Sequence, residues 1–389
     1  MDKQLISSIQ KYNKLTKNSS VHIIRNPVVS GNMMYMSDVD SFVEIDLDKS
    51  YENKTIDIKI LKTSNDIEVA RKDDFNIDDF PFLGLNRNIE EFSHLPFNTN
   101  LAQFKKYCGN GITATKKILQ CVYFSSDNND IVATDGHRVL KINNRVEKDC
   151  FIHWQYIDTI ESLKNYSPVN NSCFVIFYDN VKFLCISGNG WRIYLKQSDE
   201  HYPNYTKIFP DYKNVKRINN ENKLELRNAC KQLLGYVNTK TYLSIFQENK
   251  IWVRQEDVKY VFKLSFDFIS ANGEPVGVNT KYLDEILKDL DSAEIIEVGT
   301  NTAISVITFV QGDKTILLMP LRLRDEIDYD DLKTINVDIQ KPTVKKTSKT
   351  KSKFTVDEVM AVISKAGINL DVKQQMKLTK LLKEISNGN

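Results

Sequence analysis

The 389-residue sequence predicts an α+β chain built from a repeated unit. Three observations carry that prediction. Amphipathic helical segments alternate with short β-rich runs. The order helix, strands, helix, three-strand meander starts at Asn98 and starts again at Asn222, about 124 residues later. In both copies the second helix opens about 55 residues after the first. The first ~95 residues read as a shorter copy, one helix followed by strands.

Taken in order, a helix is expected from about Lys3 to Lys14. After Asp48 a polar turn region leads into Thr55–Leu61, which reads as strand, and no second helix is evident in this part. Helices follow where apolar residues recur every three to four positions. These are Leu101, Phe104, Tyr107 and Cys108; Trp154, Ile157, Ile160 and Leu163; Leu226, Ala229, Cys230, Leu233 and Leu234; and Tyr282, Leu283, Ile286, Leu287 and Leu290. Between them, strands are expected at Leu119–Phe124, Cys173–Tyr178, Val181–Ser187, Trp191–Leu195, Tyr242–Phe246, Val258–Phe266, Ala303–Val310 and Lys314–Met319. Turn clusters such as Gly188-Asn189-Gly190 and Gln311-Gly312-Asp313 separate them. The resulting limits are 1–95, 96–210 and 211–323 for three related domains. Residues 324–354 read as a charged flexible linker, with six lysines and no acid between Lys341 and Lys353. Residues 355–389 read as a helical tail that Thr355-Val-Asp-Glu358 opens as a capping box.

Composition removes several function classes. Fifty-three basic and 51 acidic residues leave a net charge of +2, so the chain is no polycation that binds nucleic acid by bulk charge. The small excess belongs to the last 66 residues, with 13 basic and 10 acidic, and leaves residues 1–323 at net −1. No run approaches ~18 apolar residues and the N-terminus carries no secretory pattern, so a cytoplasmic protein is expected. Six cysteines without a CxxC pair read as buried, reduced thiols. Five scattered histidines give no metal-ligand spacing. No phosphate-binding loop or dinucleotide fingerprint occurs, so neither cofactor nor metal is expected. Heavy use of Asn and Lys hints at an AT-rich genome, such as a phage's.

Three motifs sit at corresponding places. Ala133-Thr-Asp-Gly-His-Arg-Val139 lies between two strands of the middle copy, Tyr202-Pro-Asn-Tyr-Thr-Lys-Ile-Phe-Pro210 closes it, and Leu317-Leu-Met-Pro-Leu-Arg-Leu323 closes the last copy. Together with the repeat, they resemble the bacterial DNA polymerase III β sliding clamp, a processivity factor. The Val278-Asn-Thr-Lys-Tyr-Leu283 helix start is similar to that family's as well. The resemblance covers residues 1–323 and is clearest from Asn98 onward. Three departures stand out. The first domain is a helix short, Asn204 stands where the family has Asp, and 66 residues follow the last motif.

The resemblance implies a three-domain DNA-clamp fold with helices lining the DNA side and antiparallel sheets outside. It implies a non-catalytic ring that encircles duplex DNA irrespective of sequence, forms a head-to-tail homodimer, is opened by a clamp-loader ATPase and tethers DNA polymerase. The positions matching the family's partner-peptide groove are Thr134, Gly136, His137, Arg138, Val139, Pro203, Lys207, Ile208, Leu317, Leu318, Met319, Pro320, Leu321, Arg322 and Leu323. Their chemistry suits an apolar pocket in which a soft Met319 adapts to several anchors. Phosphate contacts fall to helix lysines and arginines: Lys11, Lys14, Lys105, Lys106, Lys164, Arg227, Lys231, Lys281 and Lys288. Asp135 and His137 lack an accompanying nucleophile, which argues against an enzyme. Two alternatives keep DNA as the partner: a clamp-derived tracking platform for transcription or repair factors, and a monomeric DNA-binding regulator. Gln375-Met-Lys-Leu378 is similar to the start of a clamp-binding peptide, which would let the tail fold back on a groove.

Overall fold

The computed structural model describes residues 1–339 except 22–23, 82–87, 92–94, 110–115, 177–180, 212–214, 239, 270–272, 292–293 and 324–331. They belong to one compact unit, Met1–Ile339. The expected tail helices and the Gln375–Leu378 peptide lie outside the described residues.

The chain opens with α1 (Lys3–Thr16), then β1 (Val28–Ser37), β2 (Ser41–Ile56), α2 (Ile58–Ser64), α3 (Ile67–Ala70), β3 (Arg71–Asp74) and β4 (Asn88–Glu91). Next come β5 (Cys121–Ser125), β6 (Asp130–Thr134), β7 (Arg138–Asn143), β8 (Cys150–His153), α4 (Ile157–Tyr166), β9 (Val169–Ile176), β10 (Lys182–Gly188) and β11 (Trp191–Lys196). The last set is β12 (Val215–Ile218), α5 (Asn220–Leu233), β13 (Leu243–Gln247), β14 (Lys250–Gln255), β15 (Val258–Lys263), β16 (Val276–Asn279), α6 (Thr280–Asp289), β17 (Ile296–Gly299), β18 (Ile307–Gln311), β19 (Lys314–Leu318) and β20 (Lys333–Val337). Four strands, a helix and three strands thus occur twice.

Three sheets result. One runs β1-β2-β11-β10-β9-β4, with β3 also on β2. The second runs β12-β17-β18-β19-β7-β6-β5-β8, and the third β16-β13-β14-β15-β20. Two sheets are therefore composite. Antiparallel β11 joins β2 with Ile193 opposite Val43, and antiparallel β19 joins β7 with Ile316 opposite Leu140. α1 packs on α4 and α5 on α6, and their apolar stripes feed one continuous core. In α1 that stripe is Leu5, Ile6, Ile9 and Tyr12, and Asp2 caps the helix by accepting from the Gln4 and Leu5 N–H groups.

Four expectations change. Leu101 and Tyr107 lie on two short 3₁₀ turns, Leu101–Gln103 and Lys105–Tyr107, with Phe104 between them, and not on an α-helix. Their spacing of three matches the tighter helix, and all three are fully buried. Thr55–Leu61 is strand only to Ile56. Asp57 then accepts from the N–H groups of Lys59 and Ile60 and starts α2, which Asn65 ends in the left-handed region. The first part accordingly has two short helices, α2 and α3, beyond α1. The fourth change lies in the expected linker 324–354, where Lys333–Val337 forms β20, parallel to β15.

Candidate partner groove and lysine cleft

The Thr134–Arg138 turn between β6 and β7 is pinned by its own side chains. The Thr134 hydroxyl donates to the Arg138 carbonyl (2.9 Å) and accepts from the Gly136 N–H (3.1 Å). The Asp135 carboxylate accepts from the His137 and Arg138 N–H groups at 3.0 and 2.9 Å. Asp135 builds the turn, and Gly136, at φ +86°, supplies its left-handed residue. The exposed His137 then offers its carbonyl to the Met319 N–H at 2.8 Å.

Two residues on, the Leu321 N–H donates to the Gly277 carbonyl at 2.8 Å. Met319–Leu321 therefore crosses from the turn beside β7 to β16, linking two sheets. Pro320, between the two donors, has no N–H to leave unpaired. At Gly277 an added Cβ would lie 2.3 Å from the Leu321 oxygen, so this crossing requires glycine.

A cleft of about 730 Å³ opens along the crossing. His137, Met319, Pro320, Leu321 and Arg322 line it together with Leu243, Ile245, Val253 and Tyr282. Sequence motifs identify the first five. The other four sit on β13, β14 and α6, where ordinary strand and helix alternation hides them. Met319 is 40% exposed, and the His137 ring lies 5.9 Å from the Tyr282 ring. A second cleft of about 580 Å³ shares Pro320–Arg322 and adds Leu323, Pro275 and Ile304.

The remaining motif residues lie elsewhere. Val139 and Leu317 pack with Val132 and Tyr205 in a small core of their own, to which Tyr202 and Phe209 add. Thr134 and Leu318 are buried. Pro203, Lys207 and Ile208 belong to the segment over that small core and do not line the first cleft. Arg138 is enclosed. It bonds Asp135 at 3.0 Å, ion-pairs with Glu285 of α6, donates to the Lys106 carbonyl and lies 4.2 Å over the Tyr282 ring. Burial penalises its charge, but the Asp135 and Glu285 carboxylates outweigh that and hold its pKa above the ordinary value.

The expected phosphate ligands divide into two sets. Lys105 pairs with Asp158 (2.5 Å), Lys106 with Asp289, Lys164 with Glu161 (2.8 Å) and Arg227 with Asp284 (3.2 Å). Lys14, Lys231, Lys281 and Lys288 are exposed, Lys11 is half-buried, and none of the five has an ion pair among the described residues. Lys105, Lys106, Lys281 and Lys288 meet around one cleft of about 820 Å³, with Glu285 and Asp289 between them. Among the described residues no His, Cys, Asp or Glu grouping could hold a metal ion. The six thiols are buried, and burial pushes that of Cys121 up to about 12.

Composite antiparallel sheets lie over packed helices, and a cleft opens where two sheets are bridged, an architecture shared with the solved sliding clamps. No family profile and no curated protein matches the sequence. Among solved structures the chain matches bacterial DNA polymerase III β sliding clamps. The DnaN clamp of Bartonella birtlesii, bound to griselimycin, superposes with a TM-score of 0.64 at 16% identity, over 83% of this chain and 98% of that one. The Pseudomonas aeruginosa clamp gives 0.64 at 14% identity, over 82% and 98%. The Helicobacter pylori β clamp, bound to a DNA ligase peptide, gives 0.58 at 19% identity, over 82% and 98%. No helix of the described residues is long and apolar enough to cross a membrane.

Proposed function

We propose that this chain is a DNA sliding clamp: two copies close head to tail around duplex DNA, a loader opens the ring, and a DNA polymerase is tethered through a short peptide. Such a protein has no reaction to catalyse. The observation that carries the reading is the Met319–Leu321 crossing. It sets exposed Met319 and half-buried Pro320 and Leu321 beside Leu243 and Tyr282, a concave, partly apolar site suited to one or two peptide anchors. The Helicobacter pylori clamp of the same fold was solved with a ligase peptide bound, in keeping with peptide docking here.

On the DNA side, Lys281 and Lys288, exposed and without an ion pair among the described residues, would touch phosphates without reading bases, which suits sliding. The domains would be 1–95, 96–210 and 211–323. The test is retention on nicked circular DNA. Protein held on circles and lost on linearisation is the expected result, because topological binding ends when the DNA has ends. Equal retention on both forms would overturn the ring.

A further inference from the structure

The two composite sheets show how this fold joins one unit to the next. A strand closing a three-strand meander, β11 or β19, adds antiparallel to the edge of a preceding sheet, at β2 or β7. In the third sheet, β13-β14-β15 corresponds to β5-β6-β7, so β15 is the edge equivalent to β7. Among the described residues no meander pairs with it. β20 lies there instead, with Val258 opposite Lys333 and Phe262 opposite Val337.

β20 is a different kind of neighbour. It runs parallel where both internal joints are antiparallel. Lys333, Thr334, Ile335 and Asn336 are exposed, and only Val337 and the following Ile339 pack against the core. β11 and β19 each bury three or more side chains. β20 is thus held chiefly by the backbone ladder, and it covers an edge that would otherwise recruit another chain.

We propose that Lys333–Val337 is a removable strap over the edge where a second copy of this chain joins, so that ring closure and strap release form one equilibrium. The inference rests on the two-chain ring proposed above. The joining face of the second copy would be its first part. There α2, α3 and the four-residue β3 stand where the later units carry a ten-residue helix and three strands. So small a contact is one that a five-residue strand can rival.

The experiment compares three chains by size-exclusion with light scattering at matched concentrations: wild type, the double variant Ile335→Pro/Asn336→Pro, and Lys259→Cys/Thr334→Cys, whose positions face each other in the ladder. One chain is about 45 kDa. Proline removes ladder donors, so the first variant should dimerise at a concentration at least tenfold below wild type. The oxidised cysteine pair should stay at the mass of one chain and regain dimerisation on reduction, a control for folding within one protein. Dimerisation indifferent to both changes, or absent in all forms, overturns the strap. Retention on nicked circles separates this from the ring itself. Oxidised and reduced forms retained alike sink the strap and leave the ring. Dimers that respond as expected but are never retained sink the ring and leave the strap.

Discussion

The two joints within the chain are built on the same strand geometry and closed in different ways. At β7–β19, Arg138 leaves the sheet and reaches α6, where Glu285, Asp135 and the Lys106 carbonyl surround it and only 5% of its side chain is exposed. At β2–β11, Arg192 stays over the sheet. It bonds Glu44 at 2.8 Å and Asp46 at 2.9 Å, with 35% of its side chain exposed, and Phe42 stacks on Tyr194 beside it at 4.0 Å. One joint is fastened by an enclosed charge, the other by a half-open charge and an aromatic stack. An enclosed ion pair is no stability bonus over an apolar replacement, but removing one partner is costly because the other stays buried.

That difference is open to direct attack. Arg138→Ala leaves Asp135 and Glu285 facing each other across an emptied site, and should cost about 3–5 kcal/mol of unfolding free energy. Arg192→Ala should cost less, about 2 kcal/mol. Solvent reaches Asp46, and the Tyr194 hydroxyl still donates to Glu44 at 3.0 Å. Denaturant unfolding measures both. Equal losses would mean that the enclosure of Arg138 has no energetic weight.

The joints also differ where their strands end. After β11, Gln197 turns back on β8: its amide donates to the Phe151 carbonyl at 3.1 Å and accepts from the Phe151 N–H at 2.9 Å. After β19, the Met319–Leu321 segment crosses to the next sheet and leaves the Met319 side chain in the open cleft. Both joints border a cleft, but the one beside Gln197 is lined at the strand end by Asp40, Lys196, Gln197 and Glu200, whereas the other presents Met319, Pro320 and Leu321. Met319→Asp should therefore weaken binding of a partner peptide at least tenfold, about 1.4 kcal/mol, with little change in folding stability. Fluorescence anisotropy with a labelled clamp-binding peptide reads the effect. Unchanged affinity would move the docking site away from this crossing.

How much of this the sequence shows depends on whether a signal is local. α1, α5 and α6 follow from their apolar stripes and their caps at Asp2, Asn219 and Asn279. Met319–Leu321 is legible as a motif because Pro320 stands among apolar residues within a few positions. The 3₁₀ turns at Leu101 and Tyr107 are not, since a spacing of three fits both helices until burial decides. Leu243 and Val253 escape because a strand's alternation says which residues share a face, not which face borders a cleft. Arg138 was legible only as a motif member. Its fastening role depends on Glu285, 147 residues away. β20 was hidden by composition, because Lys333–Val337 lies in a charged stretch and is held by backbone bonds that any side chain permits.

The smallest effect concerns the lysines, and it extends the contrast between enclosed and open charge to the cleft they share. Lys105 and Lys106 already have Asp158 and Asp289, so a phosphate must compete with a carboxylate for each. Lys281 and Lys288 face solvent and have no such competitor among the described residues. Each phosphate neutralised by a free lysine releases counterions and adds about 0.9 to the slope of log affinity against log salt. Lys281→Ala/Lys288→Ala should therefore flatten that slope by up to about 1.8. Lys105→Ala/Lys106→Ala should change it less, although it removes the same formal charge and frees two acids beside the DNA. Titration of duplex binding from low to moderate salt distinguishes the pairs. Equal slope changes would mean that the ion pairs at Lys105 and Lys106 open when DNA arrives, and that the division between enclosed and open charge holds only in the free protein.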